Sequence, residues 1–207
     1  MDKVLYLSDP CGTCATAFWK ESYFKKPDGL FVVHEKDASE AQKRSGTAYF
    51  RLIHHLTGGF ETTLPHGFAY KSVDLPQEAG LVADIINKCY EGYSLSGEAV
   101  LKWTKYPVFD QSLWVLIWDE AADAPAALGI ADFDNNVAEG SLEWIQVLPG
   151  YRGQGLGRMV VNELLSRLKG QVDFVTVSGQ VDNTTNPQGL YRRCGFVGDD
   201  IWYVGKN

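Results

Sequence analysis

The hydrophobic rhythm is clearest in the last third of the chain. Leu156, Val160, Leu164 and Leu168 recur every four residues with Val161 and Leu165 beside them, the stripe of a helix with one buried face. Residues 142–147, just upstream, read as a strand. Residues 172–177 are almost unbroken apolar and β-branched, the signature of a central strand. Earlier, residues 68–75 alternate as a strand, and Pro76-Gln77-Glu78 opens a helix whose Leu81, Val82, Ile85, Ile86 and Cys89 repeat at three and four residues before Gly92 ends it. A second helix is expected over 95–103, then strands over 113–118 and 127–133, with turns at 119–125 and 134–136. Asn186 stands as an N-cap before Pro187 at the first position of a short helix. Gly195 ends that helix as a left-handed residue, and 196–197 and 201–204 supply the last strands.

Before residue 67 the rhythm is weaker. Val4-Leu5-Tyr6-Leu7 reads as a short strand, followed by Cys11-Gly12-Thr13-Cys14 and a helix-like stretch ending near Lys25. Residues 30–33 read as a second strand, and 37–46 are polar with no assigned element. Residues 48–56 are aromatic and apolar and read as a helix stopped by Gly58-Gly59. The adjacent His54 and His55 would point about 100° apart on such a helix, so they cannot bind one metal from one face.

A length of 207 residues suits one domain with an embellishment, and 45% hydrophobic with 22% charged residues is ordinary for a globular chain. No apolar run approaches the roughly 18 residues of a membrane span. The first residues lack the basic and then apolar regions of a signal peptide, so a cytoplasmic protein without a membrane partner is expected. The net charge of −7 argues against nucleic acid as a partner. Positive charge nevertheless gathers at Arg152, Arg158, Arg167, Lys169, Arg192 and Arg193. The acidic remainder suits a cationic substrate or simply solubility.

Four cysteines without a secretory signal default to reduced thiols. A C-x-x-C between a strand and a helix is the setting of thioredoxin-like centres, where a helix N-terminus lowers the thiol pKa. No βαβ continuation of that fold follows, so two small residues at a helix start is the favoured reading, with catalytic redox chemistry, metal binding or redox regulation through Cys11 and Cys14 as minor ones.

Chemistry concentrates in the turn before the long helix. Arg152, Gly153, Gly155 and Gly157 fall within six residues. Glycines there let backbone N–H groups approach an anion, and a helix N-terminus offers it a seat. A P-loop would need Lys-Ser/Thr after Gly157, where Arg158-Met159 stand. The dinucleotide fingerprint would need Gly at 158 or 160, where Arg158 and Val160 stand.

The segment Val147-Leu148-Pro149-Gly150-Tyr151-Arg152-Gly153-Gln154-Gly155-Leu156-Gly157 resembles the acyl-CoA-binding motif of the GCN5-related N-acetyltransferase (GNAT) family. Leu190-Tyr191-Arg192-Arg193-Cys194-Gly195-Phe196 resembles that family's second hallmark, Leu-Tyr-x-x-x-Gly-Phe. The resemblance runs from about Phe68 to Val204. It implies an α/β fold, with a mixed, mostly antiparallel central sheet flanked by helices, over residues 67–207. Residues 1–66 then form an N-terminal α/β extension that covers the acceptor cleft, supports a homodimer or enlarges the core.

The resemblance further implies acetyl-CoA as co-substrate, no metal, and an amine of a small molecule or peptide as acceptor, attacking directly. It assigns acetyl-CoA binding to Ile145, Gln146, Val147, Arg152, Gly153, Gln154, Gly155, Leu156, Gly157 and Arg158, with Asn183 and Asn186 in the loop that often contacts CoA. The Val147 N–H would stabilise the oxyanion. Tyr191 would protonate the departing thiolate, against the plainer role of packing its ring. Glu143 is the best base candidate, with a substrate-binding or structural acid as the equal alternative. A non-catalytic acyl-CoA-binding module with a partner-binding extension is the alternative function. Trp103, Trp114, Trp118, Trp144 and Trp202 point to an aromatic-lined cleft or to core.

Overall fold

The structure, a computed structural model, describes residues 1–90 and 92–206. In chain order the elements are α1 (Lys3–Ser8), α2 (Phe18–Tyr23), β1 (Leu30–His34), α3 (Glu40–Ser45), β2 (Thr47–His54), β3 (Phe68–Ser72), α4 (Ala79–Cys89), α5 (Gly97–Trp103), β4 (Trp114–Asp119), β5 (Ala124–Asp134), β6 (Glu139–Val147), α6 (Leu156–Leu168), β7 (Phe174–Gln180), α7 (Pro187–Arg193) and β8 (Val197–Lys206). The eight strands make a mixed, mostly antiparallel open sheet, as expected. No helix among the described residues is long and apolar enough to cross a membrane.

The chain divides into two compact units. The first holds Met1–Thr57, Asp134–Ser141 and Asp173–Asn207, and the second Gly58–Phe133 and Leu142–Val172.

In the first unit the strands run β1-β8-β2-β7, with β2 antiparallel to both of its neighbours. Two sequence readings fail here. The stretch read as a helix over 48–56 is this inner strand. Its buried Phe50, Leu52 and His54 fall on alternate residues, but Tyr49 and Ile53 are apolar on the other face, where Ile53 packs against the cluster of Tyr6 and Phe174, so a strand covered on both faces shows no apolar/polar alternation. Residues 4–7, read as a strand, form helix α1 instead. Asp2 caps it by accepting from the Leu5 N–H at 2.9 Å, and only Tyr6 of the helix is buried.

The C-x-x-C segment does not open a helix directly. Helix α2 begins at Phe18, and its N-cap, Ala17, makes no side-chain bond. The polar stretch left unassigned contains α3, started by a capping box between Ser39 and Gln42. The last two expected strands are one, β8.

In the second unit the strands run β6-β5-β4-β3, residues 142–147 of β6 belonging to it. Helices α4 and α5 pack Val82, Ile85, Ile86 and Val100 against Trp114, Leu116, Leu128 and Ile130. Helix α6 covers Gly129, on the other face of β5 from Leu128 and Ile130. A β-carbon there would lie 2.3 Å from Val160 and 3.0 Å from Leu164. That close approach, with Leu156, Val160, Val161, Leu164, Leu165 and Leu168 all buried, holds the start of the helix rigidly against the sheet.

Candidate functional site

The glycine turn lies in the second unit. Pro149–Tyr151 make a single 3-10 turn, after which Gly153 (φ +82°) and Gly155 (φ +81°) both take the left-handed conformation, where glycine alone is unstrained. Gly155 is the N-cap of α6, and its carbonyl accepts from the N–H groups of Arg158 and Met159 at 3.0 and 3.3 Å. The N–H groups of a helix's first turn have no partners within the helix. Gly153, Gln154 and Gly155 are exposed while Leu156, next in line, is buried. The turn is thus open to solvent and anchored by its last residue. A β-carbon at Gly153 or Gly155 would meet nothing within 4 Å, so there is room over the turn for a ligand.

The end of β6 leads into this turn. The Leu148 N–H donates to Ala126 O at 3.0 Å, which turns that amide toward β5. The Val147 carbonyl, across the same peptide, therefore points to the opposite edge, and in extended backbone the Val147 N–H shares that edge. There the Val147 oxygen accepts from Arg152 Nε at 3.2 Å and from the Cys89 thiol at 3.7 Å. Burial raises the Cys89 pKa and the neighbouring Arg152 opposes the rise. Gln146, buried, donates through Nε2 to the Tyr90 hydroxyl at 3.2 Å. Glu143 and Ile145 are half-buried and alternate with Trp144, which packs against the α4–α5 core. Arg158 is exposed on the first turn of α6.

The structure thus gathers Gln146, Val147 and Arg152 at the end of one strand, beside the turn 153–157. Cys89 and Tyr90 join them and were missed as site residues. Cys89 was visible only as the last apolar position of the α4 repeat, and Tyr90 lies outside any periodic stretch.

The remaining sequence candidates lie in the first unit. Tyr191 is buried, its ring 6.1 Å from Phe50 and 5.6 Å from Phe196. Asn183 Oδ1 accepts from the Thr185 N–H at 2.9 Å and the Thr185 hydroxyl at 2.7 Å. Asn186 caps α7 as expected, accepting from the Gly189 N–H at 3.0 Å, at φ +50°.

Cys11 and Cys14 are free and buried. Burial pushes the Cys11 thiol up to about 12 and raises Cys14 as well, opposite to the activation that a helix N-terminus would give. The tryptophans divide. Trp103, Trp114 and Trp144 cluster in the second unit. Trp118 lies under the Lys71 ammonium. Trp202, in the first unit, donates to Cys11 O at 2.8 Å. Among the described residues no group of three His, Cys, Asp or Glu side chains is placed to hold a metal ion.

Residues 110–198 match the acetyltransferase (GNAT) domain family. A GCN5-related N-acetyltransferase from Sphaerobacter thermophilus superposes with a TM-score of 0.68 at 15% identity, over 89% of this chain and 62% of that one. The tandem GNAT protein of the clavulanic acid biosynthesis pathway gives 0.60 at 14%, over 84% and 62%. The ribosomal-protein-S18-alanine N-acetyltransferase from Escherichia coli gives 0.53 at 17%, over 66% and 90%. The chain therefore spans about three-fifths of the first two. No curated protein matches it in sequence.

Proposed function

On the premise that residues 110–198 carry a GNAT acetyltransferase domain and that the chain has the fold of GCN5-related N-acetyltransferases, we propose that this protein moves the acetyl group of acetyl-CoA to a primary amine of a small molecule or peptide. We take residues 67–207 as the acetyltransferase domain and 1–66 as its extension. The observation that carries the reading is the pair of left-handed glycines, Gly153 and Gly155, at the start of a helix locked to the sheet through Gly129. Backbone N–H groups of 153–157, with Arg152 and Arg158, hold the pyrophosphate. Ile145 and Gln146 line the path of the pantetheine arm along β6, and Asn183 and Asn186 complete the CoA contacts.

In this reading acetyl-CoA supplies an activated thioester. The acceptor nitrogen attacks the carbonyl carbon, and the N–H of Val147, on the edge turned away from β5, donates to the oxygen as it gains charge. The carbon–sulfur bond then breaks and the sulfur takes a proton from the Tyr191 hydroxyl, while the nitrogen gives up its own proton to Glu143 or to water. The resemblance to the family motif assigns Tyr191 this role, and its ring is the buried one of α7, beside Phe50 and Phe196.

Calorimetric titration with acetyl-CoA tests the turn. Gly155→Glu places bulk and negative charge over the pyrophosphate seat and should abolish binding. Undiminished affinity in that variant would remove the assignment.

A further inference from the structure

Three rings of the second unit form a nearly equilateral triangle. The centroids of Tyr90, Tyr93 and Trp144 are each 6.0 Å from the other two, with interplanar angles of 56°, 83° and 44°. Two fixings hold it in place. Trp144 is stacked on Trp103 at 5.5 Å with planes 10° apart, and Tyr90 accepts from the buried Gln146 at 3.2 Å. Both tyrosines still reach solvent, at 42% and 46% exposure.

The triangle adjoins the acyl-transfer edge. Trp144 and Gln146 precede Val147 on β6, and Cys89, next to Tyr90, donates to the Val147 carbonyl. The corners of a triangle with 6.0 Å sides lie about 3.5 Å from its centre, so a cation about 3 Å above the centre is about 4.6 Å from every centroid, within the ~6 Å distance at which a ring face attracts a cation. The net charge of −7 favours cationic ligands further.

We propose that Tyr90, Tyr93 and Trp144 form a cation-binding site that selects the acceptor. Resting on the acetyl-transfer reading, this makes the acceptor an amine with a second, positively charged nitrogen. The charged nitrogen sits on the rings while the neutral amine reaches the thioester beside Val147. A quaternary or protonated nitrogen both qualify, because a ring face attracts the positive charge whether or not it carries an N–H.

The test separates charge from shape. The full chain is titrated with choline and with its neutral carbon isostere, 3,3-dimethylbutan-1-ol, followed by calorimetry and tryptophan fluorescence. Choline should bind about tenfold more tightly than the isostere. Tyr93→Phe should keep the preference, and Tyr90→Leu/Tyr93→Leu should bring the ratio close to one. Equal binding of the two probes by the unaltered protein, or a preference untouched in the double variant, overturns the proposal.

A parallel assay compares kcat/KM for 1,4-diaminobutane and butylamine, where the diamine should be preferred by a similar factor. A choline preference with no amine acetylated upholds the cation site and removes acetyl transfer. Acetylation of both amines alike, with no choline preference, removes the cation site and leaves acetyl transfer standing.

Discussion

Arg51 Nη2 lies 3.5 Å from Glu139 Oε1, with the two side chains only 2% and 1% exposed. Around this pair the Tyr6 hydroxyl and the Thr176 hydroxyl donate to Glu139 Oε1, at 2.7 and 2.5 Å, and the Phe18 N–H donates to Oε2 at 3.0 Å. Arg51 also reaches the Ser178 hydroxyl at 3.1 Å and the Pro10 carbonyl at 3.3 Å. The network ties the N-terminal segment, through Tyr6, Pro10 and Phe18, to β2, β7 and the start of β6.

Truncating the cation should therefore be costly, because Glu139 would be left as a buried, uncompensated charge. Arg51→Met is expected to destabilise by about 3–5 kcal/mol, the usual loss when one partner of a buried pair is removed. Urea unfolding measures it, and a loss below about 1 kcal/mol would show that water enters to solvate the carboxylate.

Asn186 has two reasons to be asparagine, the cap on Gly189 and φ +50°. Asn186→Ala should cost about 1–2 kcal/mol, and Asn186→Gly only a few tenths, because glycine accepts the left-handed backbone. Thermal unfolding of the two variants side by side checks the order.

At Gly155 strain and binding separate. Alanine meets no neighbour there but must adopt φ +81°, so Gly155→Ala should lose about 1–2 kcal/mol of stability. Denaturant unfolding reads that loss, and no change would mean that the turn relaxes out of the left-handed conformation.

Buried His54 accepts the Leu56 N–H on Nδ1 at 2.8 Å, and burial lowers its pKa below 6.5. The unfolded chain then binds the proton more readily than the folded one. The stability contributed by neutral His54 is present above about pH 6.5 and is lost as the pH falls through the lower folded value. His54→Asn, whose Oδ1 can take over the acceptor role, should flatten the acid limb of a stability–pH profile. An unchanged limb would assign it to other groups.

How far the sequence reveals this molecule depends on where each residue's partners lie. Helices α4 and α6 were readable because their buried stripes repeat within the element, and the turn before α6 because its glycines are adjacent. Strand β2 shows no alternation because both its faces are covered, and what covers Ile53 on the second face, Tyr6 and Phe174, stands far away on both sides in sequence. Helix α1 was misread because its apolar residues are mostly exposed, Val4 at 77%, so the run reflected no buried face. Trp144 could be suspected as part of a cleft, but Tyr90 and Tyr93 lie between helices, where no periodicity marks them.

Acetyl transfer itself is tested most directly by following thiol release from acetyl-CoA across an amine panel, with mass spectrometry of the acceptors. Release should depend on the acceptor, with one acetyl group gained per thiol, and turnover should fall by about 10²–10⁴-fold in Tyr191→Phe with acetyl-CoA affinity nearly unchanged. Saturable acetyl-CoA binding with no transfer to any amine would contradict it and leave a non-catalytic acyl-CoA-binding module.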